Sequence, residues 1–564
     1  MRRSLCVAVL VLCVAGCASV PNSGPVHIAK ALPAVGGGIE PNVRQFPAGP
    51  TVGEQPLTLV EGFLGATVDS DNNYGVAKLF LAPGTSWNST SGITLYDANT
   101  ETVTRSGPSE VEVSVHRVGI INSQGGYQGA PGSLHLTLGV TRVRGQWRIS
   151  SLRSGVLLST ADAQQELQSV SIYYLNRTQT RLVPDPIVVP VPLPGLQAAL
   201  ATTLVGALLG GPSRSLAPAV STAIPTGTSL VGNVLIDDNG VAEINLAGST
   251  QPSSSQLPQL SAQLVWTLRQ LPTVKSIRLL DNGAPLTATG VPSQQGIDAW
   301  PQFDPQAKPT SFGGLFSNQG HVVAISRTVP VPLQTAGLLA PTVSANGATV
   351  AALRAVSGGL TTLLVSTADG SFVRRLTAAR LSSPTFDPQG DVVVVRGAGK
   401  DSTLIEVPPD GHKREVDVHP EISQQGISAV AISRDGSRIA MVVGPPGRTE
   451  LVVGTVSVTN GALVINGGLT VIPAGQDVQG VAWAGANEIV TTVRLGARRR
   501  AVVETSVDGY TVTAMPSAGL TAAPTEVAAA PGQPVLAAGG GGIWSLSARH
   551  WTRVASGSDP SYAG

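Results

Sequence analysis

Cysteine is almost missing from this chain of 564 residues. Only Cys6, Cys13 and Cys17 occur, all near the start. Beyond them no disulfide can form, no thiolate set can hold zinc and no cysteine can act as a nucleophile. Charge is sparse as well. Asp, Glu, Lys and Arg make up 13 % of residues, which argues against a disordered chain. Lys+Arg 36 against Asp+Glu 35 leaves no one-signed field of the kind that binds nucleic acid. Aromatic residues are only 4 %. Long apolar runs are lacking too. The run from Leu5 to Val14 would span about 15 Å as a helix, roughly half a bilayer core. A second uncharged stretch, Pro186 to Pro212, carries Pro186, Pro190, Pro192 and Pro194 in its first half, which bar a helix. Its second half, Leu196 to Leu209, reads as an amphipathic or buried helix.

Reaction motifs are equally scarce. There is no Gly-x-Ser-x-Gly, no His-Glu-x-x-His and no phosphate-cradling Gly-x-x-x-x-Gly-Lys-Ser/Thr. Asp69-Ser70-Asp71-Asn72-Asn73 opens like a calcium loop. However, Tyr74 stands where glycine is needed and Phe80 where the bidentate glutamate belongs, so a loop between helices is expected. His412 and His419 read as loop residues among charges. The densest basic run, Arg498-Arg499-Arg500, reads as a solvated hairpin tip that could alternatively touch anionic lipid or wall polymer. No catalytic, cofactor-binding or metal-binding residue is assigned, and no enzymatic activity is expected.

What is present begins with Met1-Arg2-Arg3, the apolar run and Val14-Ala15-Gly16-Cys17. A basic start, a short hydrophobic segment and small residues before a cut make a secretory signal over 1–16. Val-Ala-Gly-Cys resembles a bacterial lipobox. That resemblance implies that Cys17 becomes the mature N-terminus, as an S-diacylglycerol and N-palmitoyl cysteine. Without Arg2 and Arg3, 34 basic residues face 35 acidic ones, a formal charge of −1. Residues 17–52, rich in Pro, Gly, Asn and Ala, read as a flexible tether.

From 53 to 160 the periodicity changes. Leu59, Phe63, Leu64 and Val68, then Val76, Leu79 and Phe80, fit two short helices. Val111 to Val115 and Leu134 to Leu138 alternate as strands. Gly125-Gly126 and Pro131-Gly132 separate them, and Gly145-Gln146-Trp147-Arg148-Ile149 closes the segment. This order resembles the NTF2-like cone, which can enclose a ligand or a catalytic Asp/His pair. His116 and His135, on opposed strands, are the candidates, and both read as facing solvent.

Residues 165–285 form an α+β unit. It holds a strand over Val170 to Leu175, the helix ending at Leu208-Leu209-Gly210-Gly211-Pro212, and a hairpin at Asn239-Gly240 before Val241 to Leu246. A second helix runs from about Gln256 to Leu271, with Leu260, Leu264, Val265 and Leu268 on one face. A strand from Val274 to Leu280 and the turn Asp281-Asn282-Gly283 complete it. Leu208, Gly211, Pro212, Ala223, Ile224, Pro225, Gly227, Thr228, Leu230 and Gly240 to Leu246 resemble the GerMN domain. That family often has aspartate where Asn245 stands, so a role for that carboxylate is in doubt here. The resemblance implies envelope binding without a reaction.

From 300 to 564 a unit recurs: small residues, a glycine turn, then a Val/Ile/Ala run. Copies contain Gly347, Gly390 and Gly436, spaced by 43 and 46 residues. Looser copies lie at Val481 to Val490 and Val527 to Leu536. Asp369-Gly370 and Asp508-Gly509 mark outer hairpins. The period admits four strands per unit, hence an all-β propeller of about five or six blades, resembling the TolB-like repeat. Leu315 to Ile325 and Ile543 to Val554 are expected to close the ring.

The order of lipobox, tether, NTF2-like region, GerMN domain and propeller resembles the LpqB family of actinobacterial envelope lipoproteins. The resemblance implies a protein anchored on the extracytoplasmic face of the cell membrane. Its partner would be the extracytoplasmic domain of a two-component sensor kinase (MtrB-like), which it would modulate, with cell-wall polymer as a further partner. No cofactor and no nucleic acid are implied. The alternatives are wall-polymer binding or hydrolysis through the propeller, signed by paired carboxylates in its channel, or small-ligand carriage by the cone, signed by an apolar cavity.

Overall fold

The computed structural model describes residues 47–192, 195–248, 252–306, 313–325, 336–367, 370–473, 475–496 and 499–564. These fall within one compact unit. Among them no helix is long and apolar enough to cross a membrane.

The N-terminal domain is an antiparallel meander with two helices laid across it. Its sheet order is Gln146–Ser151, Tyr127–Val143, Glu110–Ile121, Ile93–Gly107 and finally Val156–Ser159, which runs parallel to Ile93 to Tyr96. Val111, Val113 and Val115 point inward, as their alternation requires. They meet Leu59, Phe63 and Leu64 of the helix Pro56–Ala66, together with Phe80. The first long strand, Ile93–Gly107, carries no clear alternation, and its burial fades after Tyr96. The second helix, Asp71–Lys78, opens on a left-handed turn. Asn72, Asn73 and Tyr74 have φ of 50°, 55° and 59°, a conformation that asparagine tolerates best. Asp69 Oδ1 accepts the Asp71 N–H at 2.9 Å, so the calcium-like start folds on itself.

The middle domain packs the helices Gln197–Leu209 and Leu257–Leu268 with two sheets. One sheet has the order Leu182–Pro190, Leu167–Asn176, Val220–Ser221. The other is centred on Val241–Ala247 parallel to Ser276–Asp281. As far as Pro190 the proline stretch is a strand, Leu182–Pro190. Pro184, Pro186 and Pro190 share one parity on the sheet edge, so their missing N–H groups all face away from the partner strand. The helix Leu257–Leu268 departs from the one-faced pattern expected of it, because it is buried nearly all round. Most of its polar side chains are satisfied internally, although the buried Trp266 Nε1 has no hydrogen-bond partner among the described residues. Gln263 accepts from Ala223 N at 2.8 Å and donates to Tyr173 O at 3.0 Å, and Ser261 accepts from Gln295 at 3.1 Å.

The two Asn-Gly turns of this middle domain differ. Asn282 and Gly283 both take positive φ (48° and 83°) in a two-residue hairpin joining Asp281 to Ala284. At Asn239-Gly240 only the glycine does. The Asp237 carboxylate accepts the Asn239 and Val241 N–H groups, and this fixes a longer turn.

Among the described residues the C-terminal region forms a propeller of six blades. Blade 1 pairs Ser558–Ser561 with Leu315–Asn318 and His321–Ala324. Blade 2 holds Leu339–Val343, Val350–Val356, Leu360–Ser366 and Phe372–Ala378. Blade 3 holds Thr385–Phe386, Val392–Arg396, Thr403–Val407 and Arg414–Glu415. Blade 4 holds Ile427–Ile432, Arg438–Val443, Glu450–Thr459 and Ala462–Ile472, with Asp417–Val418 added outside. Blade 5 holds Gln479–Trp483, Glu488–Leu495, Arg499–Ser506 and Val512–Ala514. Blade 6 holds Glu526–Ala528, Leu536–Gly539, Gly542–Ser547 and His550–Ser556.

Continuous apolar runs arise because each strand serves two interfaces. Val392 and Val394 pack toward blade 2, whereas Val393 and Val395 pack toward blade 4. The repeated glycine is the turn between the first and second strands, with φ of 75° at Gly347, 92° at Gly390 and 75° at Gly436. One expectation fails. The residues Ile543 to Val554 do not close the ring, because blade 6 uses them as its own outer strands. Closure falls to the short polar strand Ser558–Ser561 against Leu315–Asn318.

Candidate interaction surfaces

The residues singled out in the sequence do not meet at one place. Cys17 lies outside the described residues, as does Arg498. His116 and His135 sit on the outer face of the N-terminal sheet, opposite Ser133 and Ser114 respectively. His135 Nδ1 lies 2.8 Å from Ser114 Oγ and 3.2 Å from Glu112 Oε1. These are the residue types of a hydrolytic triad, but serine and carboxylate share one ring nitrogen. A base needs the serine on one nitrogen and the carboxylate on the other. The cone beneath is occupied by Leu59, Val60, Phe63, Phe80, Val113 and Ile149.

Asn245 has a structural task. Its Oδ1 accepts the Gly283 N–H at 2.9 Å and so braces the neighbouring hairpin. His412 and His419 are on loops, His419 being 4.0 Å from Glu421. The basic run is not a uniformly solvated tip. Arg500 is largely buried against Asp477, which Arg494 also approaches at 3.6 Å.

The propeller axis holds a cavity of about 190 Å³ walled by the inner strands. Its acidic lining groups are Glu526 and Asp559, on neighbouring inner strands. The Asp559 N–H donates to Glu526 Oε2 at 2.6 Å. Burial, then the Asp559 charge, raises the Glu526 carboxyl above its ordinary value. Asp559 itself is held at φ 53°, uncommon for a residue other than glycine.

The most developed contact surface is internal. On one face of the propeller, turns of blades 4 and 5 meet the other two domains. Arg438, fully buried at the mouth of a blade 4 strand, donates to Pro184 O at 2.6 Å. Burial lowers its guanidinium, while Asp435, Asp185 and Asp508 act in the opposite direction. Asp185 is held by the Ser213 N–H at 2.6 Å and its hydroxyl at 2.8 Å. Beside them, Asn176 Nδ2 donates to Asp435 O at 3.1 Å and Thr455 Oγ1 to Ser215 O at 2.7 Å.

The N-terminal domain joins the same junction. Tyr127 meets Tyr510 of blade 5 edge to face at 5.3 Å, and the Val188 N–H donates to Gly125 O at 2.8 Å. Sequence reasoning passed over Arg438 and Asp185. A faint signal was available in the repeat. Arg438 occupies the position of Thr349 and Asp391, immediately before an apolar strand. A long cation there is either solvated or covered by another domain, and the repeat alone cannot decide which.

Comparison with known proteins places consecutive family models along the chain. "Lipoprotein LpqB, N-terminal domain" matches residues 49–164, "Sporulation and spore germination" matches 171–287 and "Lipoprotein LpqB beta-propeller domain" matches 314–563. Lipoprotein LpqB of Thermobifida fusca is 27 % identical, over 99 % of this chain and 98 % of its own. The Rhodococcus jostii protein of that name is 28 % identical, over 93 % and 90 %. That of Mycolicibacterium smegmatis is 29 % identical, over 78 % and 79 %. Among solved structures, TolB from Acinetobacter baumannii aligns with 60 % of this chain and 99 % of its own at 10 % identity, with a TM-score of 0.33.

Proposed function

The chain belongs to the LpqB family of lipoproteins, and on that premise we propose that it is an extracytoplasmic accessory protein, held on the cell membrane by acylated Cys17. Its task is to bind the extracytoplasmic domain of a two-component sensor kinase (MtrB-like) and bias its signalling, thereby influencing envelope homeostasis and cell division. The observation that carries this reading is the near full-length match to relatives named as lipoproteins, combined with Val14-Ala15-Gly16-Cys17 at the end of a signal-like segment.

The physics is consistent with it. Each buried CH₂ of an acyl chain contributes roughly 0.8 kcal/mol, so two or three chains hold a protein firmly. Confinement to the membrane raises its effective concentration near a membrane receptor. Regulation then requires only that it bind one kinase state better than another. Cross-linking in intact cells, with identification of the captured protein, tests this. Wild type captures the kinase, and Cys17→Ala loses most of that capture. Capture that is absent from wild type contradicts the proposal.

The Glu526–Asp559 pair favours a second reading, binding or hydrolysis of wall polymer in the axial channel. In that case purified wall would release soluble fragments with the wild type and not with Glu526→Gln.

A further inference from the structure

The junction between the propeller and the other two domains is not packed throughout. Between the middle domain and blade 5 lies a cavity of about 300 Å³, near the lower end of the roughly 300–1,000 Å³ typical of small-molecule sites. Domain interfaces are preferred places for such sites. One wall carries Ser171 and Gln270 of the middle domain, and the other carries Asn487, Glu488, Glu504 and Ser506 of blade 5.

The chemistry of these walls is one-sided. Glu488 pairs in register with Ser506, and Glu504 lies two residues earlier on that partner strand. The two carboxylates therefore share one face of the blade as diagonal neighbours, a separation at which like charges repel. Among the described residues no basic side chain lines the cavity. Arg269, next to Gln270, instead lies over the Trp266 indole at 4.2 Å and beside Asp298 at 3.6 Å. Asn487 Oδ1 is buried with no hydrogen-bond partner among the described residues. Buried acceptors without donors are costly, at about 1–3 kcal/mol each. In line with this, burial raises both Glu488 and Glu504. The contacts around the gap, from Arg438 on one side and Tyr127–Tyr510 on the other, fix the domains and keep the cavity from collapsing.

We propose that this cavity is a ligand site for a small cation rich in hydrogen-bond donors, namely a primary ammonium on a hydroxylated ring, as in an amino sugar. The ammonium sits between Glu488 and Glu504. The ring hydroxyls meet Ser171 and donate to Gln270 Oε1 and Ser506 Oγ, whose own N–H and O–H groups are already given to Ser171 O, Thr267 O and Asp508, and a donor reaches Asn487 Oδ1. This site is separate from the kinase-binding reading and does not depend on it.

Titration calorimetry of the mature protein, purified in detergent, tests the assignment with glucosamine as the probe and glucose and putrescine as comparisons. Glucosamine is expected to bind saturably. Glu504→Gln and Glu488→Gln are each expected to weaken it tenfold or more, which is the loss of one charged hydrogen bond. Glucose should bind far more weakly because it lacks the charge, and putrescine because it lacks the hydroxyls. Ser171→Ala, on the opposite wall and neutral, should also weaken glucosamine, which guards against a fold defect in the glutamate variants. Absence of saturable glucosamine binding, affinity unchanged in all three variants, or glucose or putrescine binding as well as glucosamine would overturn the proposal.

Discussion

Glu406 is a carboxyl placed where a carboxylate is unwelcome. It lies on the third strand of blade 3, is almost fully buried and leaves Oε2 without a partner among the described residues. Burial, with the neighbouring Asp391, pushes it from 4.5 to about 7. A group whose folded value lies above its unfolded value stabilises the fold at low pH and loses that contribution as pH rises through the folded value. The window here runs from about pH 4.5 to 7. Asp387, pushed up to about 6 mainly by burial, acts in the same direction. Thermal melts should therefore show Glu406→Gln raising the midpoint at pH 7.5 by roughly 2–4 °C and leaving it unchanged at pH 4.

Arg438 poses the opposite case. Arg438→Ala and Arg438→Met both leave the Asp185, Asp435 and Asp508 charges in the junction without their cation, and each should cost about 3–5 kcal/mol. Calorimetry that finds either variant as stable as wild type would contradict its role as the cation of the junction. Of these residues the sequence exposed the chemistry but not the surroundings. Asn245 was visible as a substitution within a domain pattern. That its oxygen braces Gly283 depends on a contact 38 positions away, which no local pattern encodes.

Elements were most legible where one face is wet. Glu110–Ile121 alternates cleanly because its outer side meets solvent. Leu257–Leu268 misleads because it is covered on all sides, so its polar residues face partners instead of water. The proline strand Leu182–Pro190 escaped notice because proline argues against a strand unless the edge register is known. The closing strand Ser558–Ser561 is polar, short and contains Pro560, so nothing in its sequence marks it as the inner strand of blade 1. Its importance is nevertheless architectural. It joins the two ends of the ring, with Ser561 donating to Pro341 O and Tyr562 to Pro534 O at 2.6 Å. Removal of residues 558–564 should expose the blade 6 and blade 2 interfaces and lower the melting midpoint by about 10 °C or more, given roughly 2–4 °C per kcal/mol. An unchanged midpoint would mean that the ring does not need this closure.

At the scale of the whole molecule, the period of 43 and 46 residues was enough to infer blades, and the glycine turns fixed where each begins. The assembly of domains was not legible. Interdomain contacts rest on single residues such as Asn176, Arg438 and Tyr510, scattered across the chain without a pattern. The junction has a functional consequence. The turns of blades 4 and 5 that meet the other two domains are closed to a macromolecular partner, which on the proposed function would approach the remaining surfaces.

Cys17 adds the last constraint. Cys17→Ala should move the protein from the membrane to the soluble fraction in cell fractionation, while its melting midpoint stays unchanged. The most direct measurement is binding of the purified sensor-kinase extracytoplasmic domain to the mature protein lacking its lipid, read together with kinase output in cells lacking the gene. The account predicts saturable binding and an altered output that wild-type protein restores. No binding, together with unchanged output, would contradict it.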